Sequence, residues 1–255
     1  MDCVRAGGAR PRNGPAGRAV VAGMQVDIWS DVVCPWCYIG KRRLEAAIAR
    51  FDHGDDVEVV WHSFELDRQA PRRREGDYVE RLARKYGMSR EQAVAANTRL
   101  TDLAAAEELE FRFDVAKPGN TFDAHRLLHL AHDRGRQDAL KERLLAAYLC
   151  EGEAIGEPDV LMRLAADAGL EPSEVGAVLD GDKYADEVRA DEEAANDLGI
   201  SGVPFFVVGG KFAVAGAQQS DVLVSALERA WDKTHPLIAV EGDDGASCDG
   251  DSCVI

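Results

Sequence analysis

Cys34 and Cys37 stand two residues apart, with Pro35 and Trp36 between them. They follow the apolar run Val26–Trp29 and open a helix-like stretch, Tyr38 to Phe51. A Cys-x-x-Cys at a strand-to-helix junction reads as a redox pair. A cysteine at a helix N-cap faces unpaired backbone N–H groups and the positive end of the helix dipole. Both favour the thiolate, which is the nucleophile. Pro35 suits the first helical turn, where its missing N–H does no harm. Cys37 lies one turn on, within reach for a disulfide. Cys34 is therefore read as the attacking thiolate and Cys37 as the resolving thiol. The rival is half of a zinc site, which needs two more ligands of similar spacing. The chain holds no second Cys-x-x-Cys. The proline and the amphipathic helix also favour redox chemistry, so no metal is expected.

The other cysteines are Cys3, Cys150, Cys248 and Cys253. Cys248 and Cys253 lie in an Asp/Gly/Ser segment and can close a small ring. They form a candidate auxiliary redox pair that exchanges disulfides with Cys34–Cys37, against the plainer reading of an idle tail. A metal chelate with the adjacent aspartates is disfavoured, because zinc prefers rigid, closed ligand sets. Cys150 continues the helical pattern of Leu144, Leu145 and Tyr148 and is expected as a buried, inert core residue. His125, His129 and His132 can share one helix face. They are expected on a partly exposed face, with His125 a candidate cleft residue.

These groups sit in a chain of 255 residues with a net charge of −16. Such acidity disfavours nucleic acid and anionic membrane as partners. No apolar run approaches the ~20 residues needed to span a bilayer. The stretch 1–23 is Gly-, Ala-, Arg- and Pro-rich and is expected to be a disordered extension, with Met24 directly before the first strand. Its apolar part is too short for a signal-peptide core of ~7–15 residues. A cytoplasmic location is the default expectation, and disulfides there are more often catalytic than structural.

Strand signal covers Gln25–Ser30 and Val57–Phe64, with the Cys-x-x-Cys helix between them, the start of a βαβ unit. His53–Asp56 reads as a turn. Helical patterns then dominate: Asp77–Tyr86, a stretch from the capping-box residues Ser89 and Gln92 to about Leu109, Thr121–Asp133, Gln137–Cys150, Pro158–Ala168, Pro172–Leu179 and Tyr184–Leu198. Phe111–Phe113 reads as a brief extended piece, Arg72–Arg74 as a solvated loop, and the acidic Tyr184–Leu198 helix as a solvated face. Strand signal returns at Val203–Val208 and Lys211–Ala215, joined by Gly209-Gly210, a two-residue hairpin signal. Ser220–Trp231 closes the pattern as an amphipathic helix. The hairpin has no other sheet to join, so it completes the sheet begun at residue 25. The expected organisation is an α/β domain of residues 24–70 plus 199–235, an inserted helical domain of 71–198, and a flexible acidic tail from 236 to 255.

Three separated motifs carry a family resemblance: Asp31–Gly40 around Cys-Pro-Trp-Cys, Asn120–Leu127, and Gly199–Phe206 around Val203-Pro204. In this order they resemble the DsbA-like branch of the thioredoxin superfamily, and more closely its FrnE-like subgroup. The resemblance covers about residues 24–235 and implies a thioredoxin fold with an inserted helical domain. It implies a cis Val203–Pro204 bond beside the dithiol, with the backbone there pairing with substrate. Pro35, Trp36, Val203 and Pro204 are then substrate-binding residues. It also implies thiol–disulfide oxidoreductase or isomerase activity through a mixed disulfide at Cys34, on thiol- or disulfide-containing proteins or small molecules. Trp36 carries no charge, which implies a milder oxidant than relatives with Cys-Pro-His-Cys. No tightly bound cofactor is implied; glutathione is a candidate co-substrate. Kappa-type glutathione transferases and 2-hydroxychromene-2-carboxylate isomerases share the architecture but carry serine at the position of Cys34. A non-enzymatic chaperone with a vestigial motif is the remaining alternative.

Overall fold

The computed structural model describes residues 23–74 and 76–235. Cys3, Cys248 and Cys253, and the expectations for the first 22 residues and for the tail, lie outside the described residues.

A four-stranded sheet runs in the order β2-β1-β3-β4. β1 (Met24–Ser30) and β2 (Val57–Ser63) are parallel, joined by α1 (Pro35–Arg50). β3 (Phe205–Val208) pairs antiparallel with β1, setting Ile28 opposite Phe206, and β4 (Phe212–Ala215) pairs antiparallel with β3. The hairpin turn puts Gly209 at φ 58° and Gly210 at φ 65°, the left-handed region that a two-residue turn of this kind demands. The strands separated in sequence therefore share one sheet, as the hairpin argument required.

Between β2 and β3 lie α2 (Tyr78–Tyr86), α3 (Arg90–Ala105), α4 (Phe122–Asp133), α5 (Gln137–Leu149), α6 (Pro158–Asp167), α7 (Pro172–Asp180) and α8 (Ala185–Asp197). α9 (Ser220–Thr234) follows the hairpin. This is a thioredoxin fold carrying a helical insertion. No described helix is long and apolar enough to cross a membrane.

One face of the sheet (Val26, Ile28, Phe206, Val208) packs on Leu44, Ala47 and Phe51 at α1 and on Leu223, Leu227 and Trp231 of α9. A second core joins α4, α5, α6 and α7 through Leu127, Leu144, Leu164 and Val178, and it includes Val32, Tyr38 and Ile39. The insertion thus shares its core with the loop and helix that carry the dithiol. α3 ends at Ala105, short of the expected Leu109: Glu108 takes φ 60°, and the Leu109 N–H turns back to the Ala104 carbonyl at 2.9 Å. Phe111–Phe113 forms no strand. Its two phenylalanines are buried edge-to-face, and the Arg112 N–H donates to the Leu149 carbonyl at 2.7 Å. The Arg72–Arg74 side chains reach solvent or the Asp67 carboxylate, but the Arg72 carbonyl packs tightly on Gly119 and Gly156. Cys150 is half-buried at the C-terminus of α5 and disulfide-bonded, which corrects the inert core thiol expected there.

The acidic α8 is only in part a solvated face: Asp186, Glu187, Glu193 and Asp197 are exposed, whereas Asp191 and Glu192 turn inward. Ala195 packs with Trp29 and Ile200 against the sheet. Asp191 accepts the Ser63 N–H at 2.7 Å and lies 2.8 Å from His62, whose other ring nitrogen lies 2.8 Å from Asp27. His129 also reaches Asp191, at 3.1 Å. Burial disfavours charge on His62, but Asp191 and Asp27 overcome it and raise its pKa to about 9. A raised histidine stabilises fully below its unfolded value of about 6.5 and loses that contribution as pH rises through about 9. Lys141, whose pKa is depressed from 10.5 to about 8, contributes in the opposite direction between those two values, which overlaps the upper end of the His62 window, so parent stability alone does not isolate His62. A His62→Gln variant is therefore expected to lose on the order of 3 kcal/mol at pH 6 and little at pH 10, measured by urea unfolding. An equal loss at both pH values would rule out the charged His62 bridge.

Candidate active site

Cys34 is the N-cap of α1, at φ −87° and ψ 113°, and Pro35 opens the helix. The loop is held by the Cys34 N–H donating to the Asp31 carbonyl at 3.2 Å and the Cys37 N–H to the Cys34 carbonyl at 3.0 Å. Both cysteines are free thiols. Cys34 retains 4% exposure and Cys37 none. Trp36 between them is 43% exposed.

The start of the hairpin supplies the facing wall. The Val203–Pro204 bond is cis, and the Cys34 sulfur lies 3.6 Å from the Val203 carbonyl oxygen. Gly40, on the second turn of α1, permits this approach: a Cβ there would stand 2.9 Å from Pro204 Cγ and 3.2 Å from Phe206 Cζ. The Gly216 N–H donates to the Pro204 carbonyl at 2.8 Å and ties the proline to the end of β4. The six residues Cys34, Pro35, Trp36, Cys37, Val203 and Pro204, which the sequence groups in two distant motifs, belong to one site.

Below the thiols lies a buried charged set that the motif reading missed. Asp31 is fully buried; it accepts the Leu66 N–H at 2.8 Å and lies 3.3 Å from His125 Nε2. Burial opposes its ionisation, but His125, the Leu66 amide and Lys141 together hold it below the usual carboxylate range. Lys141 comes from α5 in the insertion. It is fully buried, with Nζ 3.4 Å from the Ser30 carbonyl and 5.3 Å from the centre of the Trp61 ring. Burial depresses its pKa to about 8, against the opposing charges of Cys37 and Asp31.

The two thiols titrate as a pair. Burial opposes charge on Cys37, yet the hydrogen bond from the Cys34 thiol and the Lys141 charge hold Cys37 below the ordinary cysteine range. The same hydrogen bond, with burial and the Cys37 charge, pushes Cys34 well above it. Lys141 thus adds an opposing charge on the Cys37 side of the coupled pair.

The three histidines do not share an environment. His125 is buried on Asp31 rather than facing a cleft, His129 is directed at Ser63 and Asp191, and His132 is exposed. Lys141 was visible in principle. Gln137, Leu140, Lys141, Leu144, Leu145 and Tyr148 are the buried stripe of α5, and a lysine on such a stripe marks a buried charge. Asp31 offered a weaker signal, as a carboxylate three residues before the first cysteine.

A Cys-x-x-Cys dithiol at a helix N-terminus facing a cis-proline hairpin, on this sheet order, defines a thioredoxin-fold redox protein. The profile of the DSBA-like thioredoxin domain matches residues 25–228, and the chain belongs to that family; with its free Cys34–Cys37 pair it is a DsbA-like thiol–disulfide oxidoreductase. Bacillus subtilis (strain 168) YwbO is 30% identical over 206 residues, 80% of this chain and 96% of that protein. The crystal structure of the probable DsbA oxidoreductase SCO1869 from Streptomyces coelicolor is 45% identical, with a TM-score of 0.80 over 91% of this chain and 99% of that one. The cytosolic disulfide reductase DsbM from Pseudomonas aeruginosa shares the fold, with a TM-score of 0.56 at 20% identity, over 80% of this chain and 97% of that one.

Proposed function

We propose that the protein catalyses thiol–disulfide exchange with Cys34 as the attacking sulfur and Cys37 as the resolving one. The observation that carries this reading is the asymmetry of the pair: Cys34 retains 4% exposure, while Cys37 has none. In the reducing direction the Cys37 thiolate takes the Cys34 proton as Cys34 attacks a substrate disulfide. A Cys34–substrate bond forms, the substrate S–S bond breaks, and the leaving sulfur takes the electron pair and a proton. Cys37 then attacks Cys34 as its proton leaves for the departing substrate sulfur, which takes the electron pair of the broken Cys34–substrate bond and goes as the second thiol, leaving the Cys34–Cys37 disulfide. In the oxidising direction the steps reverse. Lys141 charge favours the Cys37 thiolate, the group that leaves or attacks in each direction.

Trp36 and Val203 form an apolar rim suited to an unfolded segment or a small thiol, and the Val203 carbonyl becomes available to a substrate backbone once Cys34 is in a mixed disulfide. The substrate class is a thiol or disulfide on a protein or small molecule, with glutathione as a candidate co-substrate. A Cys37→Ala variant should trap substrates on Cys34 as adducts that dithiothreitol releases. If the adducts are equally abundant on a Cys34→Ser, Cys37→Ala chain, Cys34 is not the attacking sulfur.

A further inference from the structure

His125 is the buried titratable group that the exchange steps leave unused. It lies in the first turn of α4, in the insertion, with no exposed surface, on a helix whose Ala124, Leu127, Leu128 and Leu130 are also buried. The ring makes one polar contact among the described residues. Nε2 stands 3.3 Å from Asp31 Oδ1, and Nδ1 is buried without a hydrogen-bond partner. An ionised carboxylate only accepts, so Nε2 carries the hydrogen and donates it. An apolar side chain would fill this place without burying a bare ring nitrogen, which is costly. The imidazole therefore matters here for what it does to Asp31.

Asp31 in turn is fixed at three points. Oδ1 receives His125, Oδ2 receives the Leu66 N–H at 2.8 Å, and the main-chain carbonyl receives the Cys34 N–H at 3.2 Å. The carboxylate is thus clamped between α4 and the segment after β2, and the same residue holds the N-terminus of the dithiol helix. Its charge adds to the Cys37 hydrogen bond and the burial that raise the Cys34 thiol. Burial opposes that charge, and His125 is the first of the groups that offset it, ahead of the Leu66 amide and Lys141. The other titratable groups that act on the pair are Lys141 and Tyr148 of α5, the two thiols, and Glu65 beyond β2, whose Oε2 accepts from Arg189 at 2.6 Å. Among the described residues only His125 hydrogen-bonds Asp31 Oδ1.

We propose that His125 is a positioning residue for the dithiol that acts through Asp31, holding a buried negative charge at a fixed place beside Cys34. This rests on the exchange reading above and adds to it a control on the charge that the thiols work against. Without the Nε2 hydrogen, burial gains on the remaining partners and the Asp31 carboxylate is protonated more readily. The thiols then lose a neighbouring negative charge, and their first ionisation moves down, as in Asp31→Asn.

The test is alkylation of the reduced full-length chain by iodoacetamide, followed against pH, with equilibration against glutathione as a second readout. His125→Leu should alkylate about threefold faster than the parent at pH 6, the effect of moving the first ionisation down by about half a pH unit. Its equilibrium with glutathione should shift toward the reduced chain by a similar factor. His125→Gln sets an amide N–H near the Nε2 position and should restore most of the parent profile. His125→Asn, whose amide stops short of Asp31, should behave as His125→Leu does, and it carries the comparison if the leucine variant fails to fold. In an Asp31→Asn background neither substitution should move the profile further, because the group they act through has lost its charge. A parent-like profile in His125→Leu and His125→Asn overturns the proposal, as does an equal shift in both backgrounds or a loss of stability alone. A parent chain that exchanges no disulfide, while the profiles move as described, overturns the exchange reading alone.

Discussion

A Cys34→Ser chain is expected to lose disulfide-exchange activity by at least about a thousandfold, while Cys37→Ser keeps a single round of mixed-disulfide formation. The reason is geometric before it is electronic. Sulfur in the Cys34 position is the only sulfur of the pair that a substrate can meet, since Cys37 has no exposed surface. A serine hydroxyl there neither ionises near neutral pH nor forms a stable bond to sulfur, so no intermediate exists for Cys37 to resolve. The loss should appear in both directions of exchange: reduction of a protein disulfide, and oxidation of a reduced test protein. Cys37→Ser should differ in kind. It still consumes one equivalent of disulfide per chain in a burst, then stalls. The burst should also be slower than in the parent, because the Cys37 thiolate is the base that takes the Cys34 proton. Stopped-flow amplitudes with an aromatic disulfide separate the two variants. If Cys34→Ser and Cys37→Ser stall alike with no burst, the assignment of attacking and resolving sulfurs is wrong. Turnover that survives Cys34→Ser would show that the activity does not run through Cys34.

Most of this site was legible before any coordinates, and the parts that were not share a physical cause. Cys34, Pro35 and Cys37 announce themselves because redox chemistry at a helix terminus needs those types at that spacing. The sheet could be assembled from its ends because Gly209-Gly210 is a local signal and the hairpin strands had one sheet to join. Asp31, His125 and Lys141 were not read as a set because their meeting is made by tertiary packing: α4 and α5 lie about a hundred residues from the loop that they support. The periodicity of α8 predicted a helix, but composition misled on its face. Two of its carboxylates, Asp191 and Glu192, are partners of Ser63, His62 and Arg189 while the rest are exposed, and acidity alone does not distinguish the two kinds. The coupling within the dithiol was hidden for a related reason. Helix-dipole reasoning treats Cys34 alone, whereas two thiols in hydrogen-bond contact share one proton, and a lysine from the insertion biases where the charge sits.

That lysine gives the second large effect. Lys141→Met keeps the length and apolar stem of the side chain and removes its charge from beneath Cys37. The Cys37 thiolate then loses an opposing charge in a fully buried setting, so the first ionisation of the pair should move up by about one unit and exchange at neutral pH should slow by about tenfold. The sign on the redox balance follows. Losing thiolate stabilisation penalises the reduced dithiol relative to the disulfide, which makes the variant a weaker oxidant, by about 30 mV for that shift. The pH profile gives the sharper signature. Lys141 titrates at about 8, so in the parent its support for the thiolate fades as pH rises through that value. Alkylation of the reduced dithiol by iodoacetamide, followed against pH, should show this second inflection in the parent and lose it in Lys141→Met. Asp31 adds a control: Asp31→Asn removes a negative charge from the same pocket and should move the first ionisation down, opposite to Lys141→Met. Two variants that slow exchange without moving either inflection would make Lys141 and Asp31 packing residues, and the insertion would then support the dithiol by shape alone.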